Sequence, residues 1–72
     1  MDELLARLRE IADEKHLTLS FELNTDAGVS WVILHDHAAG VTVARSIDLI
    51  ALEQHKLETK TVIDDLLNLL KN

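Results

Sequence analysis

The sequence predicts an α+β domain: an N-terminal helix, a three-stranded antiparallel meander, then one or two C-terminal helices packed on one sheet face. Three observations carry this expectation. Residues 17 to 23 alternate strictly, with Leu17, Leu19, Phe21 and Leu23 on one side and Thr18, Ser20 and Glu22 on the other, the period of a half-buried strand. An amphipathic helical stripe precedes this run. A second leucine-rich helical segment closes the chain.

The first helix is expected from Met1 to Lys15. Leu4, Leu5, Leu8, Ile11 and Ala12 fall on one stripe, as a core-facing helix requires. Asp2 suits the N-terminus as a cap, and Asp2 with Glu3 suits the positive end of the helix dipole. Lys15 and His16 suit the negative end. Glu3 with Arg7, and Arg9 with Asp13, are opposite charges one turn apart on the wet face.

The first strand, Leu17 to Leu23, runs into Asn24-Thr25-Asp26-Ala27-Gly28, a hairpin loop in which Gly28 can take a positive φ. The second strand, Val29 to about Asp36, is apolar on both sides: Val29, Trp31 and Ile33 alternate with Ser30, Val32 and Leu34. That pattern suits a central strand. His37-Ala38-Ala39-Gly40 makes the next turn, and Val41 to Arg45 the third strand. Helices laid on the face formed by Leu17, Leu19, Phe21, Leu23, Trp31 and Ile33 give the simplest layered packing.

Ser46 reads as the N-cap of a further helix, with Ile47, Ile50, Ala51 and Leu57 along one side. A rival reading extends the third strand through Ile47 and Leu49, which share the parity of Val41 and Val43. The stripe from Ile47 to Leu57 is out of phase with Ile63, Leu66, Leu67 and Leu70, so a break is expected near residues 57 to 61. The β-branched cluster Thr59, Thr61, Val62 and Ile63 supports it, and Thr61 with Asp64 fits a capping box opening the last helix.

At 72 residues the chain has room for a single domain, residues 1–72, with one modest core. It is 47% hydrophobic but 3% aromatic, so that core is built from Leu, Ile, Val and Ala. A domain of this size hides only about 60% of its unfolded surface, which leaves apolar side chains outside. Cysteine is absent, which excludes disulfides and thiolate chemistry and suits a reducing, cytoplasmic setting. Charges interrupt the first apolar stretch, so no signal peptide is read there, and no run approaches the roughly 20 apolar residues of a bilayer span. With 13 acids against 7 basic residues and a net charge of -6, neither a nucleic acid nor an anionic lipid surface is an expected partner.

The element order is shared with double-stranded RNA-binding modules, which place lysines at the start of the last helix. Here Ser46-Ile47-Asp48-Leu49-Ile50 offers an acid and no lysine, so the likeness is of architecture alone. No catalytic residues are assigned and no enzyme is expected. Asp13-Glu14 and Asp64-Asp65 are adjacent acids on helices and diverge, whereas paired-carboxylate chemistry needs two acids converging on a substrate. The serines lie in no strained nucleophile turn. Neither glycine belongs to a phosphate-binding loop, and no cofactor is implied.

Three functional expectations remain. The first is an interaction module, most simply a homodimer, whose interface would use Val32 and Leu34 on an uncovered sheet face and Leu66, Leu69 and Leu70 on the last helix. The second is a weak transition-metal site at His35 and His37, two imidazoles on one side of a strand end, completed by His16 or His55. The third is an acidic mimic of nucleic acid that offers Asp13, Glu14, Asp48, Glu53, Asp64 and Asp65 to a basic protein.

Overall fold

The structure is a computed structural model that describes residues 2–24, 26 and 28–71. It has the predicted α+β order: α1 (Asp2–Lys15), β1 (Thr18–Asn24), β2 (Val29–Asp36), β3 (Val41–Asp48), the short α2 (Leu49–Glu53) and α3 (Thr59–Lys71). The strands form one antiparallel sheet in the order β1-β2-β3. Met1, Thr25 and Ala27, which the expected first helix and hairpin loop include, lie outside the described residues.

The stripe on α1 is used as its spacing requires. Leu4, Leu8 and Ala12 are buried, while Leu5 and Ile11 are half-buried beside them. The opposite-charge pairs Glu3/Arg7 and Arg9/Asp13 do not close; the ion pair among the described residues is Arg45–Asp65. Exposed pairs of long side chains gain little from closing, because side-chain entropy offsets the screened attraction.

The end of α1 is made without glycine. His16 adopts a left-handed φ of 57°, and the Leu17 N–H donates to the Ala12 carbonyl at 2.8 Å. This is the Schellman closure, which satisfies an orphan carbonyl and turns the chain straight into β1. The same device ends α2: His55 has φ 60°, while the Lys56 and His55 N–H groups donate to Ala51 and Leu52 at 2.9 and 3.2 Å. Two of the four histidines thus hold helix ends.

The sheet corrects the expected faces. Asn24 belongs to β1 and pairs with Val29, so Leu23 lies opposite Ser30, Phe21 opposite Val32 and Leu19 opposite Leu34. Cross-strand partners project from the same side. The helix-covered face therefore carries Leu19, Phe21 and Leu23 with Ser30, Val32 and Leu34, not with Trp31 and Ile33. Ending β1 one residue earlier shifts the register by one, which is enough to turn every side chain of the next strand over. Val32 and Leu34 are fully buried in the core with Leu4, Leu8, Val43, Ile47, Val62, Ile63 and Leu66. They are core residues, and the interface expected through them is set aside. The open face instead carries Val29, Trp31, Ile33 and His35, flanked by the small and polar residues of β1 and β3.

Ser30 is the buried polar residue among the described residues; its hydroxyl donates to the Glu22 carbonyl at 3.0 Å, which offsets the cost of burying it. The turn after β2 is tied by Asp36, whose Oδ1 accepts from the Ala38 and Ala39 N–H groups at 3.0 and 3.2 Å. Gly40 completes it at φ 67°, a conformation that costs other L residues strain.

Beyond residue 45 the rival strand reading holds as far as Asp48, but not to Leu49, which opens α2. β3 runs through Ile47 to Asp48, and Ser46 caps nothing. Asp48 is the N-cap of α2, its Oδ1 accepting from the Ile50 and Ala51 N–H groups at 3.0 and 3.1 Å. The break falls at residues 54–58, earlier than expected, and α3 opens at Thr59 rather than at Thr61. Because α2 has one turn and a single side-chain cap, Asp48→Ala should lower unfolding free energy by about 1 kcal/mol. Urea denaturation of the two proteins checks this.

Candidate interaction surface

Among the described residues five large hydrophobic side chains are exposed: Phe21 at 37%, Leu23 at 60%, Trp31 at 44%, Ile50 at 59% and Leu69 at 45% relative exposure. They fall in three places. Phe21 and Leu23 project from the helix side of β1, where the helices no longer cover the sheet. Leu23 lines a groove of about 290 Å³ with Leu49, Leu52 and Glu53. Ile50 lies over the β1–β2 turn, its Cδ1 3.6 Å from where a Cβ on Gly28 would stand. The Leu49 N–H, donating to the Gly28 carbonyl at 3.0 Å, pins α2 to that turn. One end of the molecule is therefore apolar on its surface.

Trp31 stands on the open face, between Glu22 of β1 and Ser46 of β3. Leu69 is on the outer side of α3, beside Arg45, Asp65 and Asn68. Of the helix residues expected at an interface, Leu66 is fully buried and belongs to the core. Leu69 is exposed. Leu70 is half-buried and lines a groove of about 520 Å³ with Leu17, Leu67, Lys15, Asp36 and Lys71.

His35 and His37 do come together, with ring centroids 4.3 Å apart and planes at 89°. Each also meets a threonine: His35 Nδ1 is 2.6 Å from Thr42 Oγ1, and His37 Nε2 is 3.0 Å from Thr18 Oγ1. One nitrogen of each ring is thereby engaged in a hydrogen bond. Among the described residues no group of three or more His, Cys, Asp or Glu could hold a metal ion. His16 and His55, expected as further ligands, sit at the C-terminal ends of α1 and α2.

The acids expected to mimic nucleic acid are partly occupied by the fold. Asp48 caps α2, and Asp65 accepts from Arg45 Nε at 2.9 Å. Arg45 also donates from Nη1 to the Ser46 carbonyl at 2.8 Å. Nothing local announced this bridge, since its partners are twenty residues apart and meet only when α3 packs on β3. A second gathering missed in the sequence is a groove of about 410 Å³ lined by Glu3, Arg7, His55, Glu58 and Lys60 with Leu52, Leu57 and Thr59. Its charges alternate in sign, and it brings no two acids together as a pair isolated from bases.

The last helix observed opens Glu58-Thr59-Lys60-Thr61, one acid beside one lysine. This opening, too, lacks the lysine cluster that double-stranded RNA-binding modules place there. No helix among the described residues is long and apolar enough to cross a membrane. Compared with protein-family models, curated proteins and solved structures, the chain matches none.

Proposed function

We propose that this protein is a small non-enzymatic interaction module of the cytoplasm that works as a homodimer through its surplus apolar surface. The observation that supports this reading most directly is the exposure of Phe21 and Leu23, two large apolar side chains on the same side of the outer strand β1. A domain this small has little surface to spare, and large apolar groups gathered in one area mark contact sites more often than isolated ones do. The net charge of -6 keeps the remaining surface soluble. A self-complementary patch is all that a two-fold dimer needs.

Sedimentation velocity over a concentration series tests the reading. The expected result is a concentration-dependent shift from monomer to dimer that moderate salt leaves intact, because apolar burial rather than exposed charge drives it. A strict monomer at every concentration overturns it.

A further inference from the structure

We propose that the dimer forms by antiparallel pairing of β1 with β1 of a second copy, about a two-fold axis at Phe21, giving one continuous six-stranded sheet. This rests on the self-association proposed above and names its site. β1 is an outer strand of the sheet. Six of its seven residues are exposed and the seventh is half-buried. It carries few of the devices that normally blunt an edge: Thr18–Asn24 contains no proline and no lysine, its single charge is Glu22, and its register with β2 is unbroken from Thr18 to Asn24.

The register follows from symmetry. A two-fold axis perpendicular to a sheet keeps each residue on its own face, so residues that pair have numbers of the same parity. Centring on Phe21 is the arrangement that pairs the whole strand. Phe21 then faces Phe21, Leu19 faces Leu23, Ser20 faces Glu22 and Thr18 faces Asn24 of the second copy. The exposed Phe21 and Leu23 are thereby covered on the helix side. The two Glu22 carboxylates are kept from facing each other directly, which a shift to centring on Glu22 would force. β3, the other outer strand, gains nothing comparable. Its apolar Val43 and Ile47 are already buried, and its Arg45 is committed to Asp65.

The chain has no cysteine, so single introduced cysteines can report the register on the solvent face without disturbing Leu19, Phe21 or Leu23. Directly opposite Cβ atoms stand about 4.5–5.5 Å apart and diagonal ones about 7–8 Å, against roughly 3.5–4.5 Å in a disulfide. Ser20→Cys mixed with Glu22→Cys should therefore form the mixed disulfide about tenfold faster than either variant alone forms its own. In light scattering the wild type should show twice the chain mass of 8.1 kDa. Phe21→Lys/Leu23→Lys should show the monomer mass with the native far-ultraviolet circular dichroism and a cooperative melt, at a lower melting temperature because dimerisation no longer adds to stability. A dimer that survives the two lysines, or a mixture that cross-links no faster than its components, overturns the β1 pairing while the interaction-module reading stands. A wild type that is monomeric at its highest soluble concentration overturns both.

Discussion

Leu34→Ala should lower the unfolding free energy by about 2–5 kcal/mol, the range for emptying a fully buried leucine site. For a domain whose total stability is roughly 4–11 kcal/mol, that is a large fraction. The expected fall in melting temperature is roughly 10–30 °C. Leu34 is fully buried on β2, the central strand, paired with Leu19 on one side and Val43 on the other. Its cavity would open between the sheet and both long helices, where no side chain can swing in from solvent to fill it. Circular dichroism melts of the two proteins measure the effect. A loss below 0.5 kcal/mol (about a tenth of the domain's stability) would mean that Leu34 faces solvent and that the sheet presents its other side to the helices.

On α3 two leucines three positions apart should behave in opposite ways. Leu66→Ala should cost about 2–5 kcal/mol, because Leu66 is fully buried between the helix and the sheet. Leu69→Glu should change stability by less than about 0.5 kcal/mol, because Leu69 is 45% exposed and points along the outer side of the same helix. Chemical denaturation with matched m-values reads both. If the two costs came out equal, α3 would be rotated relative to the sheet, and the Arg45–Asp65 bridge would have to break with it.

Most of the architecture was legible because its signals are local. The stripe on α1, the alternation in β1 and the turn residues around Gly28 and Gly40 each report on a few neighbours. What failed was the joining of correct pieces. Including Asn24 in β1 changes the pairing parity, and a difference of one residue decided whether Val32 or Trp31 met the helices. Hydrophobicity could not arbitrate, since both faces of β2 are apolar. Likewise Ser46 and Asp48 are both competent caps; Asp48 prevails because Ile47 is better buried in a strand than exposed on a helix.

The histidines show the same division. That His35 and His37 share a strand end followed from their spacing, and the structure brings their rings into contact. The parts played by His16 and His55 did not follow, because a left-handed residue after a helix is usually expected to be glycine. Histidine is among the residues that reach that region more readily than most. The exposed apolar end was foreseen only as a surplus of apolar surface. Its location depends on where α1, α2 and α3 stop covering the sheet, which no single segment encodes.

Trp31 gives the fold an unusual optical property. It is the sole tryptophan in a chain without tyrosine, and it stands on the uncovered face of the central strand, remote from the packed interior. Its indole is already partly hydrated in the native state, so its emission responds weakly to collapse of the core and strongly to anything that settles on the open face. Fluorescence of this protein is thus a natural gauge of contact on that face, with the interior left to the far-ultraviolet amide signal.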